Sequence, residues 1–199
     1  MIKEMRRIMN SRELLDILQV AERLKDTTRH CYTSQGRHES VAEHTWMMTL
    51  MALLLEDELT DIDMAKVIKM CLIHDLGECF TGDIPTFDKT AEHEAIEHRQ
   101  LSDWLNSLPQ KTNVTLTQLF NEMNARETPE AKTYKALDSL EALIQHNLSD
   151  LDTWSENEFD LNLVYADDKV GFSNYLTELR EEIRTDTIKK ISNSDKKRD

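Results

Sequence analysis

The dipeptide His74-Asp75 places two polar side chains where the helical pattern predicts burial. His74 follows Val67 by seven residues and Cys71 by three, and Asp75 follows Cys71 by four, so both continue an apolar stripe. A buried imidazole or carboxylate needs a partner, because an unpaired buried charge costs several kcal/mol. A metal ion held off the end of the helix can satisfy both side chains at once.

Two further positions direct polar groups into the same predicted core. His44 lies on the inward face of the preceding helix, and Asp138 shares a helical stripe with Ala131, Tyr134 and Ala142. Two imidazoles and two carboxylates suit one divalent ion, Mn²⁺, Co²⁺, Fe²⁺, Mg²⁺ or Zn²⁺, with positions left for water and a substrate oxygen. Taken singly, such residues are more often hydrogen-bonded core histidines or solvated helix acids, so the prediction depends on the set of four.

The elements that must position these residues are predicted to be helices. Capping boxes at Asn10 with Glu13 and at Ser40 with Glu43 mark the first two starts, with a loop over 26–39 between them. The predicted helices run from about 10 to 25, from 40 to 57, from 61 to the turn at Gly77, from 88 to 108, from 128 to 147 and from 173 to 191, with a shorter one that follows Thr115. The acidic stretch between the last two helices is predicted to be a partly packed loop or broken helix.

Glycine and proline are scarce, which excludes many folds. The 199 residues include only four glycines and three prolines, too few for a many-stranded sandwich or barrel. Three of these seven, Gly77, Gly82 and Pro85, follow His74-Asp75 directly, so irregular backbone is predicted beside the candidate ligands. We therefore predict an all-α single domain over residues 1–191, a helical bundle around a central metal site, followed by a solvated tail over 192–199.

The charge balance limits the partners. Thirty-eight acids against 24 Lys and Arg give a net charge of −14, which argues against a nucleic-acid polymer or an anionic membrane as partner. The acidity is regional: residues 147–168 carry seven acids and no Lys or Arg, whereas residues 1–37 carry eight bases and five acids. A small anionic substrate thus remains compatible with the N-terminal segment.

The cysteines and the N-terminus bear on location. Cys31, Cys71 and Cys79 are scattered without a CxxC spacing, so the sequence suggests neither a disulfide framework nor a thiolate zinc site. No apolar signal segment follows Met1, and the longest apolar-rich run, residues 46–55, is too short to cross a membrane. We expect a cytoplasmic protein.

Three motifs follow one another along the chain. They are Arg37-His-Glu-Ser-Val-Ala-Glu-His44, then Ile73-His-Asp-Leu-Gly-Glu78 with Thr81-Gly-Asp-Ile-Pro85, and last Thr128-Pro-Glu-Ala-Lys through Lys135-Ala-Leu-Asp138. In this order they closely resemble the motifs of the HD-domain phosphohydrolases, and within them those of the 5′-deoxynucleotidase branch. The resemblance spans about residues 11–190.

The resemblance implies specific roles. It implies an all-helical fold with one divalent metal ion held by His44, His74, Asp75 and Asp138. It also implies Glu78 as the acid/base residue near the attacking water, Asp83 as a second site carboxylate and Arg29 as the phosphate-binding cation. Which carboxylate takes the proton and which returns it stays open. A homodimer is implied as well.

One position departs from this pattern. An aromatic residue often follows the phosphate-binding arginine in the better-known members of the branch and contacts the sugar, whereas here that residue is His30. The preference for sugar and base therefore stays open, as does the identity of the metal.

The leading hypothesis is a metal-dependent phosphomonoesterase that hydrolyses deoxynucleoside 5′-monophosphates. One alternative is an HD hydrolase of another nucleotide, a nucleoside triphosphate or guanosine tetraphosphate, which would need more clustered cations than the sequence shows. A second is a non-catalytic, metal-stabilised helical interaction module, against which the presence of Glu78 and Arg29 argues. A nuclease is disfavoured by the net charge and by the lack of an aromatic-interleaved basic groove.

Overall fold

The chain between residues 9 and 195, which the computed structural model describes, is mainly α-helical and confirms the predicted fold class. A short antiparallel hairpin of β1 (Thr28–Tyr32) and β2 (His38–Ser40) interrupts the helices near the N-terminus. The helices are α1 (Ser11–Ala21), α2 (Val41–Leu54), α3 (Met64–Ile73), α4 (Glu78–Thr81), α5 (Ala91–Ser107), α6 (Gln110–Ala125), α7 (Pro129–Leu148), α8 (Glu158–Val164), α9 (Asp167–Val170) and α10 (Asn174–Asp195).

The helix starts follow the capping signals. The side chain of Asn10 accepts from the Glu13 amide at the start of α1, and Ser40 with Glu43 forms the same reciprocal box at the start of α2. Thr128 caps α7, whose first residue is a proline. Helix ends were predicted less well: α1 gives way to a 3-10 helix over Glu22–Lys25, and α2 ends at Leu54 rather than near residue 57.

Two predicted boundaries are wrong. The stretch 26–39, predicted as a loop, contains the hairpin, whose register pairs Tyr32 with His38 and whose turn includes Gly36 at φ +76°. Helix α6 begins at Gln110, whereas the fifth predicted helix was expected to begin after Thr115. Pro109 is the N-cap residue of α6, and the Thr115 hydroxyl donates to a carbonyl within the helix.

Helix α7 runs through the core and organises the other elements. It packs against α2, α3, α6 and α10, and its buried positions include Ala136, Leu137, Leu140 and Leu143. Since α2 and α3 also pack on each other, the first turn of α2, the end of α3 and the middle of α7 meet at one place. These are the segments that carry the four predicted ligands.

The C-terminal third completes the bundle. Residues 147–168 form a 3-10 helix (Leu151–Thr153) and then α8 and the start of α9, in line with the predicted broken helix. Helix α10 extends to Asp195, four residues past the predicted end near Ile191, and the predicted solvated tail over 192–199 stays a prediction. The predicted domain over residues 1–191 stays a prediction, and its first eight residues lie outside the described ones. Between residues 9 and 195, no helix combines the length and apolarity needed to span a membrane.

Candidate metal centre and adjoining cavity

The structure brings the four predicted ligands together. His44 Nε2 lies 3.2 Å from Asp138 Oδ1 and 3.8 Å from Asp75 Oδ2. His74 Nε2 lies 2.9 Å from the same Asp75 oxygen and 3.8 Å from the same Asp138 oxygen. Two imidazole nitrogens and two carboxylate oxygens thus surround one point, although the residues are separated by up to 94 positions in the chain.

Other contacts orient each ligand. The Nδ1 atom of His74 lies 2.8 Å from the Cys71 carbonyl, and the Nδ1 atom of His44 contacts the buried Glu141 carboxylate, so both Nε2 atoms face the cluster. Lys135 Nζ lies 2.6 Å from Asp138 Oδ2 and leaves Oδ1 toward the imidazoles. Such outer contacts fix the rings and oxygens of a metal site before the metal arrives.

The cluster fits a divalent metal ion. His74 Nε2 is buried and has no hydrogen-bond partner within the described chain, although it lies against two carboxylate oxygens. Burial opposes the charged form of Asp138, but Lys135 and the imidazoles hold its pKa well below the usual range. Ionised carboxylates beside an orphaned imidazole nitrogen are the donor set that a divalent cation satisfies.

The electrostatics of His44 show that the cluster favours positive charge. Burial and the nearby Arg29 oppose its charged form, yet neighbouring carboxylates, first Glu141 and then Asp138, raise the pKa of His44 to about 10. The surrounding carboxylates therefore favour a positive charge at this position. A divalent cation supplies the same charge and leaves the imidazole neutral, as metal ligation requires.

The two predicted proton-transfer residues lie beside this cluster. Glu78 begins α4, three residues after Asp75; its side chain is buried, and its Oε2 atom has no hydrogen-bond partner among the described residues. Burial, followed by the negative charges of Asp75 and Asp83, raises the pKa of Glu78 to about 11. Asp83 follows the turn at Gly82, and burial raises its pKa against the opposing charge of Arg29.

Arg29 projects from β1 into the same region. Its Nη1 lies 2.8 Å from Glu39 Oε2 and 3.4 Å from Glu141 Oε2, and its side chain is only 10% exposed. Because Glu141 also contacts His44, one buried carboxylate connects the arginine to a predicted metal ligand. With Asp138, Arg29 lines a cavity of about 210 Å³ beside the cluster. A wider depression of about 580 Å³, between Leu59 and Tyr175, contains none of the four predicted ligands.

Two buried carboxylates of this region, Glu141 and Glu39, were not predicted from the sequence. Glu141 lies one turn after Asp138, between the buried Leu140 and Leu143, so the stripe argument used for Asp138 also applies to it. Glu39 lies in β2, and its burial depends on the hairpin, which stands where a loop was predicted.

Known proteins resemble this chain in sequence and fold. The HD domain family matches residues 21–180. The chain is 30% identical over 141 residues to 5′-deoxynucleotidase HDDC2 of Homo sapiens, covering 68% of this chain and 67% of that protein. It is 31% identical over 145 residues to 5′-deoxynucleotidase hdd1 of Schizosaccharomyces pombe, covering 68% and 71%.

Solved structures agree on the fold. A predicted metal-dependent phosphohydrolase from Magnetospirillum magnetotacticum superimposes with a TM-score of 0.74 at 24% identity, covering 90% of this chain and 93% of that one. A conserved hypothetical protein from Pyrococcus furiosus gives a TM-score of 0.65 at 29% identity, covering 86% and 99%.

The chain therefore belongs to the HD domain family. The predicted resemblance to its 5′-deoxynucleotidase branch is confirmed, and with it the prediction that the chain is a hydrolase.

Proposed function

We propose that this enzyme hydrolyses deoxynucleoside 5′-monophosphates to deoxynucleosides and phosphate, with one divalent metal ion held by His44, His74, Asp75 and Asp138. The observation that carries the proposal is the meeting of these four side chains at the edge of the cavity that Arg29 lines. The similarity to curated 5′-deoxynucleotidases supports the same reaction.

Each group has a role in phosphate-ester hydrolysis. When bound, the metal ion supplies Lewis acidity to a phosphoryl oxygen and to the attacking water. Arg29 donates to the remaining phosphoryl oxygens, and its fork is held by Glu39 through Nη1. Glu78 and Asp83 move the proton between the water and the leaving 5′ oxygen.

The cavity favours a small substrate with one phosphate. Its volume of about 210 Å³ suits a nucleoside-sized group. Within the described chain, Arg29 is the one Lys or Arg that lines it. A nucleoside triphosphate or guanosine tetraphosphate carries more negative charge and would require further cations there. A monophosphate matches the single guanidinium.

Two further proposals concern the protein's surroundings. The apolar stripe of α1 is exposed at Leu14, Leu15 and Leu18, which supports the homodimer implied by the family resemblance. All three cysteines are free thiols, which supports a reducing, cytoplasmic location.

A phosphate-release screen tests the proposed reaction. Protein stripped with a chelator is assayed with nucleoside mono- and triphosphates, in deoxy and ribo forms, after addition of Mn²⁺, Co²⁺ or Mg²⁺. We expect metal-dependent phosphate release from deoxynucleoside 5′-monophosphates. Asp75→Ala and His74→Ala should lose activity together with the metal ion of the candidate metal centre, because each removes one of its ligands.

Glu78→Gln separates proton transfer from metal binding. We expect it to retain metal and to lose kcat by about 100-fold or more, the usual contribution of a general acid or base. The exposed Glu56→Gln is the matched control and should keep full activity. Preferred cleavage of triphosphates would contradict the proposed substrate, and a fully active Glu78→Gln would contradict the proton role.

A further inference from the structure

A second group of metal-binding side chains lies in the wall of the cavity. Cys31 Sγ lies 3.4 Å from His146 Nε2 and 3.8 Å from His30 Nε2. Glu158 Oε1 lies 3.0 Å from His30 Nε2 and 3.3 Å from His146 Nε2. These atoms belong to β1, the end of α7 and the start of α8, and none belongs to the four ligands of the candidate metal centre.

The spacing matches a tetrahedral site. Bonds of about 2.0–2.1 Å from zinc to nitrogen or oxygen and about 2.3 Å to sulfur place neighbouring ligand atoms about 3.3–3.6 Å apart. Four of the six separations, those from each imidazole to the Cys31 sulfur and to the Glu158 oxygen, fall between 3.0 and 3.8 Å. The ligand atoms of His30, Cys31 and His146 all lie within 4.8 Å of one another. A single ion can therefore contact these three residues, and Glu158 adjoins both imidazoles as the fourth candidate ligand.

The hydrogen bonding indicates an unsatisfied site. Glu158 Oε1 is buried and, within residues 9–195, has no hydrogen-bond partner, although two imidazole nitrogens lie close to it. This is the feature that His74 Nε2 shows in the candidate metal centre. His30 Nδ1 is likewise buried without a partner in this part of the chain, so the contacts of the ring depend on Nε2.

The environment favours the ligand form of the thiol. Cys31 is 1% exposed. Burial opposes its ionisation, but His146, His30 and the Arg29 guanidinium together lower the pKa of the thiol to about 6. A thiolate is the form that binds metals. Trp154 packs its ring against His146 and Phe87 against His30, which gives the cluster an apolar surround.

We propose that His30, Cys31, His146 and Glu158 form a second, zinc-type metal site, separate from the candidate metal centre. Two imidazoles, a thiolate and a carboxylate in a tetrahedron suit Zn²⁺, whereas the thiolate disfavours Mg²⁺ and Mn²⁺. Four protein ligands leave no open position, which defines a structural rather than a catalytic site. The ion would join β1 to α7 and α8 and hold the cavity wall in place.

Cobalt substitution tests this site directly. The candidate metal centre has no thiolate among its four predicted ligands, so thiolate-to-cobalt charge-transfer absorption reports the second site. We expect this absorption in chelator-stripped wild-type protein after Co²⁺ is added, and equally in Asp75→Ala, which lacks the first site. Cys31→Ser should abolish it. Cys71→Ser, another buried thiol, is the matched control and should keep it.

Zinc stoichiometry gives an independent measurement. By mass spectrometry of the metal content, Asp75→Ala should bind one equivalent of Zn²⁺, and the added His146→Gln should reduce this stoichiometry because it removes a ligand. If wild-type protein shows no thiolate-to-cobalt absorption, the second site is refuted without any variant. Absorption that survives in Cys31→Ser refutes it too. Both results are independent of the phosphatase assay, so the two proposals stand or fall separately.

Discussion

At the scale of single residues, Arg29 has the most demanding position. Its guanidinium is buried between the carboxylates of Glu39 and Glu141, and it lines the cavity beside Asp138. The environment of Glu39 disfavours its charged form. Burial, and then the negative charge of Glu141, raises the pKa of Glu39 to about 7, although Arg29 acts in the opposite direction. The arginine thus serves both as a counter-ion within the fold and as the proposed donor to substrate phosphate.

Arg29→Lys separates these two roles. Lysine retains the positive charge for Glu39 and Glu141 but loses the planar fork that binds two phosphoryl oxygens. We expect KM for the monophosphate to rise about tenfold, equivalent to about 1.4 kcal/mol, while metal content is unchanged. Steady-state kinetics measures the effect. Arg37→Lys, at an exposed arginine paired with Glu43, is the control, and an unchanged KM in Arg29→Lys would rule out the phosphate-binding role.

At the scale of elements, the turn after α4 positions Asp83. Gly82 adopts φ +76° and ψ 169°, a backbone region that is essentially restricted to glycine. A Cβ atom there would meet no heavy atom within 4 Å, so the restriction comes from the backbone itself and not from packing. The sequence predicted irregular backbone at this point, and the structure shows why glycine is needed.

Gly82→Ala should therefore be costly. We expect a loss of about 1–3 kcal/mol in the free energy of unfolding, together with reduced turnover as Asp83 is displaced. Gly171 offers a matched control, because its φ of −63° suits any residue and its Cβ position is also open. Gly171→Ala should change stability by less than about 1 kcal/mol. Urea unfolding compares the two, and equal losses would contradict the backbone argument.

Elements stabilised by contacts between neighbouring residues were predicted from the sequence. Elements stabilised by contacts between distant parts of the chain were not. Caps and periodic stripes are local signals, so they located the starts of α2 and α7 and the ligands His44 and Asp138. The strands of the hairpin are five and three residues long and carry mostly polar side chains, and their pairing depends on tertiary contacts. The group of His30, Cys31 and His146 also depends on that hairpin, because His30 and Cys31 lie in β1. The spacing of the cysteines in the sequence therefore did not predict it.

At the scale of the whole molecule, the acidity and the proposed activity are compatible. The block 147–168 contributes half of the net charge of −14. Part of this block forms α8, where Glu158 lies against His30 and His146. Burial acts to raise the pKa of Glu158, but these histidines and Ser155 lower it to about 2. The proposed monophosphate substrate would meet the Arg29 guanidinium in the cavity, while the remaining acids act against polymeric anions.

Metal binding should also stabilise the whole fold. The four predicted ligands come from α2, the end of α3 and α7, so their site exists only when these elements are packed together. A ligand that binds only the folded state at 100 times its Kd adds about 2.7 kcal/mol. For a chain of this size, that energy corresponds to a Tm increase of roughly 5–11 °C. We expect this shift when Mn²⁺, which avoids thiolates, is added to chelator-treated protein.

Asp138→Asn is the matched variant, because it keeps the shape of the side chain and removes the charge that binds the cation. Its thermal unfolding should not respond to Mn²⁺, whereas Asp103→Asn, on α5, should respond like the wild type. Differential scanning calorimetry at several Mn²⁺ concentrations distinguishes the cases, since linkage requires the Tm to rise with the logarithm of metal concentration above Kd. An equal shift in Asp138→Asn would place the stabilising ion elsewhere, because a carboxylate that holds the metal cannot be neutralised without weakening that linkage.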